Sequence, residues 1–527
     1  MALRPGRAPA SIGCLARNTL GGIMHEPRAE IILVNAKPWR AQPVGLAPCD
    51  IVVGGGKILR IGHGLTADRA MAREVQIVDC YGCTVLPGFV DAHLHFHAFV
   101  DSLLSVDLRP EAGIRSIPHI QAAVRSKAAI MPPGQWVKGR GYDEFLLAER
   151  RHPTRWDLDA AAPEHPVRLT HRSLHARVMN SAALKLAGIG AGTPDPPAGL
   201  IERDLDGEPT GVLYEMGKEL ANRVPRWDAE MFESGVRQAA RELAACGITE
   251  FVDASATNDR FQRQRFAAYR DKGLLPQRMT IMLGAAALQE LGRRDSSPGD
   301  SDLPPVWGIK LVLDRTTGEI QPDAEALAAT IREAHRMGWP VAVHAVELET
   351  VDAALTAFEA VLPAGQRNGP GHRIEHASIC PPHLARRMAT LGIKVATQPA
   401  FIYHSGDRYL AFVPPEQQPH LYPLATWLHH GVQVEGSSDC PVIYPSVLQG
   451  IYAAIARQSR EGRLVGPEQR VSLEAAIAMY TRRTLAPGVP ADLVLVSEDL
   501  TRVSAESLRD TEVRLTMIAG KIVWTGR

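Results

Sequence analysis

Short apolar runs alternate with longer amphipathic stretches through the middle of the chain. A run of four to eight apolar residues predicts a buried strand, whereas apolar residues that recur every three or four positions predict a helix. Helices are predicted at Ala324–Met337, Thr350–Val361, Pro382–Leu391 and Leu424–His430. Strands are predicted at Val85–Asp91, Ile248–Asp253, Arg278–Leu283, Ile309–Asp314, Val341–Ala345, Arg373–Ser378, Lys394–Gln398 and Val432–Ser438. Strands that alternate with helices form parallel sheets, so this pattern predicts an α/β fold with a (β/α)8 TIM barrel.

The two ends of the chain show a different pattern, in which glycine-rich turns separate β-branched runs. Gly54-Gly55-Gly56 lies between two such runs near the beginning, and Gly520 lies between two near the end. Turns of this kind predict hairpins. We therefore expect residues 28–84 and 481–527 to form one small composite β-sandwich domain, with the barrel at residues 85–480. Residues 1–27 are expected to be a disordered leader.

The interval between the first and second predicted barrel strands is too long for an ordinary connection. It spans about 155 residues, whereas a crossover usually needs one helix and loops of about 2–6 residues. We therefore expect an inserted subdomain at about residues 100–245.

Composition argues against several classes of function. The 527 residues include 58 Lys and Arg and 58 Asp and Glu, so the formal net charge is zero and no nucleic-acid partner is expected. No apolar run approaches the ~18 residues that a membrane span requires, so no membrane association is expected. Seven cysteines are an odd and sparse count, which favours a reducing, cytoplasmic location.

The segment Pro87–His95 carries the strongest chemical signal. His93 and His95 are two residues apart on a predicted strand, so their side chains leave the same face. The carboxyl ends of barrel strands are where such folds place their chemistry, and imidazole binds Zn, Fe, Ni and Cu. Two histidines near a turn are also common without a metal, so the pair alone does not decide between these interpretations.

The ends of other predicted strands add residues of the same type. His344 and His376 lie near the carboxyl ends of the fifth and sixth predicted strands, and Asp439 lies at the end of the eighth. Each of them alone could be an ordinary core side chain with a hydrogen-bond partner. Because buried polar groups are costly unless they are paired, their convergence on one barrel mouth is better explained by a metal.

Lys310 lies within the apolar run Gly308–Val312 of the fourth predicted strand. Lysine is rarely buried without a partner, and burial lowers its pKa and favours the neutral amine. A neutral amine can take up carbon dioxide as a carbamate, which bridges two metals as a carboxylate does. An ion pair with Asp314 or Glu319 is the alternative explanation.

Taken together, these motifs resemble the amidohydrolase superfamily. They are most similar to amidohydrolase family 3, the branch that includes N-substituted formamide deformylase-like proteins. The resemblance runs from about Ala29 to Arg527 and rests on Pro87–His95, Gly141–Glu144, Val167–His171, Asn180-Ser181, Gly199–Asp204, Gly207–Gly211, Gly308–Lys310, Arg373–Ala377, Gln398-Pro399 and Ser438–Val442. It implies the barrel, a β-sandwich from both termini and a subdomain over the barrel mouth.

The resemblance also implies one or two divalent metal ions, usually zinc. His93 and His95 would hold one metal together with Asp439. His344 and His376 would hold a second, and a carboxylated Lys310 would bridge the two. Glu375, next to His376 on an extended strand, is expected to face away from the site.

Three further residues are candidates for substrate contact. Tyr142 and His175 lie in the expected insertion, where support of the fold is an equal alternative, and Gln398 ends the seventh predicted strand. Arg140, Arg168 and Arg172 lie near these segments and could meet an anionic substrate. Surface positions are the simpler interpretation for all three.

The sequence departs from the family pattern at three places. Ala345–Leu348 stands where the branch usually has Ile-Gly-Asp, the loop after Lys310 is short, and the chain runs almost directly from Tyr480 to Pro487. These departures affect loops around the mouth, and all six proposed metal ligands are present.

Metal-assisted hydrolysis of a non-peptide C–N bond in a small-molecule amide, such as an N-substituted formamide, is the function that we expect. Asp439 would act as the general base. Deacylation of an N-acyl amino acid or deamination of a ring on the same site is the alternative enzymatic hypothesis. A ligand-binding barrel without turnover is the non-enzymatic hypothesis. By analogy with similar proteins, a homo-oligomer is expected.

Overall fold

Three β-sheets organise the protein: a central barrel, a sheet built from both ends of the chain, and a sheet within the insertion. The computed structural model describes residues 28–39, 48–65, 75–196, 199–220, 222–292, 294, 302–315, 319–362 and 370–526. The predicted leader at residues 1–27 lies outside the described residues.

Eight parallel strands form the central barrel, which confirms the predicted fold class. In chain order they are Phe89–Leu94, Ile248–Asp253, Arg278–Gly284, Val306–Val312, Val341–Ala345, Arg373–His376, Lys394–Thr397 and Val434–Gly436, and we refer to them below as barrel strands one to eight. Each pairs with the next in this order. Strands one and eight meet at their carboxyl ends, where the Asp439 amide donates to the His93 carbonyl at 2.8 Å and the His95 amide donates to the Cys440 carbonyl at 2.8 Å.

The first barrel strand differs from its prediction. The run predicted as one strand, Val85–Asp91, is divided between Thr84–Pro87, which belongs to the terminal sheet, and Phe89–Leu94, which belongs to the barrel. Gly88 separates the two strands. The second barrel strand passes so close to it that a Cβ at position 88 would lie 2.2 Å from Oγ1 of Thr249. Apolar residues fill both strands, so hydrophobicity alone does not reveal the change of sheet.

Helices pack around the barrel and bury their apolar faces against its strands. Leu327, Ile331 and Ala334 show the expected spacing on one of these helices, and all three are buried. The described α-helices are Phe96–Leu104, Ile117–Ala128, Arg155–Asp159, Ser181–Leu186, Gly217–Leu220, Ala229–Ala245, Arg260–Asp271, Ala324–Arg336, Leu348–Glu359, Pro382–Leu391, Ala400–Phe412, Leu424–His429, Val447–Ala456, Leu473–Ala478 and Ala505–Arg509. None of them is long and apolar enough to cross a membrane.

The two ends of the chain share one sheet of eight strands. Strand Thr84–Pro87 pairs with Leu493–Val496 from the other end of the chain, which joins the two halves. A common core, which includes Leu33, Ile51 and Leu515, stabilises the unit. Its strands are Ile31–Pro38, Cys49–Gly54, Lys57–Gly62, Gln76–Asp79, Thr84–Pro87, Leu493–Val496, Val513–Ile518 and Lys521–Thr525.

The chain between the first and second barrel strands forms a second sheet of six strands. They are, in chain order, Val106–Asp107, Val137–Tyr142, Val167–His171, Ala176–Met179, Leu200–Arg203 and Pro209–Tyr214. Val137, Val167, Leu169 and Val178 lie in a core of this unit that is separate from the barrel core. The long interval in the sequence thus contains a packed unit of its own.

Two of the cysteines, Cys80 and Cys83, form a C-x-x-C motif, which the sequence analysis did not consider. They lie in the turn before Thr84–Pro87, and both are free thiols. Burial raises the pKa of Cys80 to about 12. A thiolate is therefore disfavoured here, and the pair has the character of core packing rather than redox chemistry.

Candidate metal centre

His93, His95 and Asp439 come together at the closure of the barrel. Nε2 of His95 lies 3.1 Å from Oδ1 of Asp439, and Nε2 of His93 lies 3.3 Å from the same oxygen. Their ligand atoms all lie within 4.8 Å of one another. Two imidazole nitrogens and a carboxylate oxygen facing one point are a common donor set for zinc and similar cations.

His344 and His376 extend this cluster across strands five and six. Their ring centroids are 4.4 Å apart, and the centroid of His376 is 4.9 Å from that of His93. Lys310 lies on strand four, and its neighbour Val312 pairs in register with His344. Residues two apart on a strand share a face, so Lys310 and His344 both point into the barrel. The structure therefore brings all six predicted ligands to one mouth.

Three buried atoms of this cluster lack a hydrogen bond among the described residues. They are Nε2 of His93, Oδ1 of Asp439 and Nζ of Lys310. A buried polar atom without a partner costs free energy, and native structures contain few of them. A cation held between these atoms would satisfy the imidazole and the carboxylate, so the residues present fit a metal.

Burial keeps two of the histidines in the form that binds metals. It lowers the pKa of His376 to about 3 and that of His344 well below its usual value. Burial also lowers the pKa of Lys310 to about 8, although the carboxylates of Glu375 and Asp439 oppose the shift. Neutral imidazole is the ligand form of histidine, and a lysine that loses its proton near neutral pH can react as an amine.

Glu375 faces into the barrel, so the expectation that it points away from the site is wrong. Its register partner on strand five is His344, which places both on the inner face. Oε2 of Glu375 contacts Nδ1 of His93. The alternation rule failed because His376, rather than Glu375, departs from the strand: its φ is +70°. Left-handed backbone of this kind in a non-glycine residue is costly and is concentrated at functional sites.

Arg373 holds the Glu375 carboxylate by hydrogen bonds. Its Nε donates to Oε1 of Glu375 at 2.5 Å, and another guanidinium nitrogen donates to the Ala92 carbonyl at 2.8 Å. Burial opposes ionisation of Glu375, but Arg373, Lys310 and His93 together hold its pKa well below the usual value. The result is an arginine–glutamate–histidine chain that fixes the ring of His93. In the sequence, the signal for this hydrogen-bond network was the presence of two charged residues, Arg373 and Glu375, in a buried strand of four residues.

Gln398 orients a second imidazole. Its Oε1 lies 2.8 Å from Nδ1 of His376, and its Nε2 donates to the Ser437 hydroxyl at 2.9 Å. Gln398 is fully buried, and both ends of its amide are occupied. The structure thus places this predicted substrate contact behind the candidate metal ligand His376, where it holds the ring.

The loop that carries Asp439 is fixed by Asp91. The Ser438 hydroxyl donates to Oδ2 of Asp91 at 2.5 Å, and the Ser438 amide donates to Oδ1 at 3.1 Å. Asp439 itself has a φ of +57°. The buried Asp91 side chain therefore holds the turn in the conformation that directs Asp439 towards the histidines.

The two candidates from the insertion occupy different positions. The ring of His175 is 6.3 Å from that of His344, and its side chain is 50% exposed. Glu215 contacts its Nδ1. Tyr142 is instead fully buried within the insertion, where its hydroxyl lies 2.9 Å from Nδ1 of His152. His175 thus stands at the edge of the metal cluster, whereas Tyr142 packs inside its own subdomain.

A second group of metal-ligand type, Asp143, Glu144 and His171, lies in the insertion. Each carboxylate already has a cationic partner: Arg172 is 3.0 Å from Asp143, and Arg408 is 3.0 Å from Glu144. Paired carboxylates need no metal, so this group has the character of an ion-pair network.

The sequence pattern of the amidohydrolase family matches residues 76–524. The chain belongs to this family. The resemblance predicted from the motifs is confirmed. The N-substituted formamide deformylase of Arthrobacter pascens is 29% identical to it over 93% of this chain and 97% of that protein. A putative amidohydrolase of Bacillus subtilis is 26% identical over 86% of this chain and 91% of that protein.

Solved structures agree with this placement. An uncharacterized metal-dependent hydrolase from Pyrococcus furiosus has a TM-score of 0.65 and 25% identity, covering 88% of this chain and 98% of that one. Another from Pyrococcus horikoshii has a TM-score of 0.68 at 23% identity, covering 90% and 99%, and shows the same fold. Family, relatives and ligand geometry together support a metal-dependent amidohydrolase that uses a divalent metal ion.

Proposed function

We propose that this amidohydrolase hydrolyses a non-peptide C–N bond in a small amide, with N-substituted formamides as the first class to test. The convergence of His93, His95 and Asp439 around shared unpartnered atoms carries the proposal. His344, His376 and Lys310 would complete the site. Lys310 would act as a carbamate if two metals, zinc being the usual choice, are bound.

Bound at these residues, a divalent metal ion supplies Lewis acidity, which makes water a nucleophile near neutral pH and polarises a carbonyl. Asp439 is the residue placed to move the proton. Its Oδ1 lies against the two imidazoles, which leaves Oδ2 to accept the proton of the attacking water and return it to the leaving amine. Glu375 and Gln398 keep His93 and His376 in place during the reaction.

His175 is the residue that we propose for contact with the substrate. It stands beside His344 at the edge of the cluster, and Glu215 fixes its ring through Nδ1. Burial opposes protonation of His175, but Glu215 raises its pKa. In the protonated form the opposite nitrogen, directed away from Glu215, carries a proton and can donate it in a hydrogen bond to a carbonyl oxygen of the substrate. A donor aimed at developing negative charge stabilises the transition state of acyl transfer.

The choice of substrate class rests on the full-length similarity to a formamide deformylase. The experiment loads the purified protein with zinc and bicarbonate, measures metal per chain by elemental analysis, and assays four classes of compound. These are N-substituted formamides, simple amides, N-acyl amino acids and aminated heterocycles. The assays measure the release of formate, carboxylate or ammonia.

Turnover of formamides or simple amides that is lost in Asp439→Asn supports the proposal. Turnover of N-acyl amino acids or heterocycles alone would replace the substrate class and keep the metal chemistry. A protein that binds no metal under any loading would overturn the proposed reaction and leave a ligand-binding barrel.

A further inference from the structure

One face of the sheet in the insertion carries a cluster of cationic side chains. Lys138 pairs in register with Arg168, and Thr170 pairs with Arg140 on one side and Arg177 on the other. Residues in register and residues two apart share a face of a sheet. These five side chains therefore form one polar patch, whereas the alternate residues of the same strands build the apolar core of the insertion.

This patch is largely buried, contrary to the expectation of surface positions for Arg140 and Arg168. The side chain of Arg140 is 12% exposed and that of Arg168 is 15% exposed. Together with Lys138 and Arg177 they line a cavity of about 620 Å³ between the insertion and helices Phe96–Leu104 and Ala229–Ala245. The cavity contains none of the six metal-ligand candidates.

Positive charge exceeds negative charge in this cavity. Asp101 faces the patch and lies 2.8 Å from Nε of Arg140 and 3.4 Å from Arg168. Its other oxygen accepts a hydrogen bond from Nε1 of Trp227 at 2.6 Å. Glu233, the other carboxylate of the cavity wall, forms an ion pair with Lys272 at 2.5 Å.

The patch therefore places four cations around one available carboxylate. Burial lowers the pKa of Arg177 to about 10, and the next causes are Arg168 and Arg140. Burial lowers that of Lys138 to about 8, with Arg168 next. Like charges that face each other in a sheet are destabilising, so the arrangement calls for a counter-charge.

Three buried donors in the patch lack a hydrogen bond among the described residues, and one of them, Nε of Arg140, has the Asp101 carboxylate 2.8 Å away as an ion-pair partner. The Thr170 hydroxyl is buried, with the residue only 1% exposed, and Nε of Arg168 is also buried without a hydrogen bond. Both residues line the cavity. Unsatisfied buried donors beside excess positive charge are the complement of an oxyanion.

We propose that this cavity is a second ligand site, which binds a small phosphate monoester with an aromatic or apolar body. The patch carries three more cations than carboxylates, which favours a doubly charged phosphate over a carboxylate. Trp227, whose ring centroid lies 4.0 Å from Nζ of Lys138, and Phe232 also line the cavity and would contact the body of the ligand.

The site adjoins the metal centre through one helix. Helix Phe96–Leu104 begins directly after His95, and its residue Asp101 contacts the cationic patch. None of the six candidate metal ligands lines this cavity, so binding at each site can be tested separately.

The experiment is isothermal titration of the full-length, metal-loaded protein with phenyl phosphate, benzoate and phenol as probes. Phenyl phosphate is expected to bind at least tenfold more tightly than benzoate, and phenol is expected not to bind. Arg177→Gln and Thr170→Val should each weaken phenyl phosphate binding about tenfold, as expected for the loss of one hydrogen bond to a charged group. Thr170→Val should fold normally, because the hydroxyl it removes has no hydrogen-bond partner in the described part of the chain.

Two controls separate the sites. Arg386→Gln alters an exposed arginine of another helix and should leave the affinity unchanged. Asp439→Asn alters the metal centre and should also leave it unchanged. Equal affinity in wild type, Arg177→Gln and Thr170→Val would overturn the proposal, as would loss of binding in Asp439→Asn. Binding of benzoate as tight as that of phenyl phosphate would overturn the assignment to phosphate.

Discussion

The Glu375 carboxylate contacts Nδ1 of His93, although the two residues are 282 positions apart in the chain. This contact fixes both the position and the tautomer of the imidazole, because a carboxylate at Nδ1 retains the proton there and leaves Nε2 free for a metal. Partners of this kind determine metal affinity nearly as strongly as the ligands themselves. The strand that supplies the candidate ligand His376 therefore also supplies the residue that orients His93.

Glu375→Gln is expected to weaken metal binding by about 10- to 100-fold, the usual effect of losing such a partner. The amide keeps the size of the side chain but removes the charge that holds the imidazole proton. Competition with a metal-binding dye measures the dissociation constant. Glu325→Gln, which changes an exposed glutamate, is the matched control.

Loss of the Glu375 charge also removes one of the two carboxylate partners of the buried Arg373 and leaves Glu435 at 2.7 Å as the other, so stability must be followed in the same samples. Breaking a buried pair costs about 3–5 kcal/mol. The double variant Arg373→Met/Glu375→Gln removes both charges and should recover part of that loss, while metal affinity stays low. A folded Glu375→Gln protein with unchanged metal affinity would show that His93 needs no such support.

The candidate ligands were easier to find in the sequence than the residues that contact them. His93, His95 and Asp439 were recognisable because metal-ligating residue types recur at strand ends, and their backbone positions follow from strand order. Glu375 was assigned to the wrong face because the alternation was counted from His376, whose left-handed backbone breaks it. No local sequence pattern predicts a positive φ at a histidine.

The fold shows the same division between local and long-range information. Helix Pro382–Leu391 was predicted to the residue, because its apolar spacing is local. The change of sheet at Gly88 depends on the close approach of Thr249, which is distant in sequence. The cationic patch of the insertion was missed for a related reason, since the pairing of Lys138 with Arg168 appears only when the strands come together.

Asp439→Asn is expected to lower turnover by about 10²- to 10⁴-fold, the usual contribution of a general base. Asparagine retains an oxygen that can face His93 and His95, so the fold and part of the metal content should persist. The measurements are kcat, metal per chain and thermal unfolding on one preparation. Asp510→Asn, at an exposed position, is the control. Full activity in the Asp439 variant would remove this residue as the base.

Lys310→Ala is expected to reduce metal content, because it removes the side chain proposed to bridge the metals. Short carboxylic acids such as acetate or propionate should restore part of the metal and of the activity, since they replace the carbamate group. Lys57→Ala, which changes an exposed lysine, is the matched control and should leave metal content unchanged. Unchanged stoichiometry and rate in Lys310→Ala would refute the bridge, and lower stability without rescue by acids would assign Lys310 a packing role.

Gly436→Ala tests how closely the end of strand eight is packed. A Cβ at this position would lie 2.5 Å from Cζ of the buried Tyr480, and a Cβ at Gly450 would lie 2.2 Å from the Tyr480 hydroxyl oxygen. The ring thus occupies the space that both glycines leave open. Overpacking of this kind costs about 1–3 kcal/mol, so the free energy of unfolding in urea should fall by that amount.

Gly192→Ala is the matched control, because no heavy atom lies within 4 Å of the added methyl group. The double variant Gly436→Ala/Tyr480→Leu removes the ring that the new methyl group would meet. Its destabilisation should therefore be smaller than the sum of the two single changes, which is the signature of residues in contact. Strict additivity would mean that Tyr480 moves aside freely, and that the turn carrying Asp439 is not held by the packing beneath strand eight.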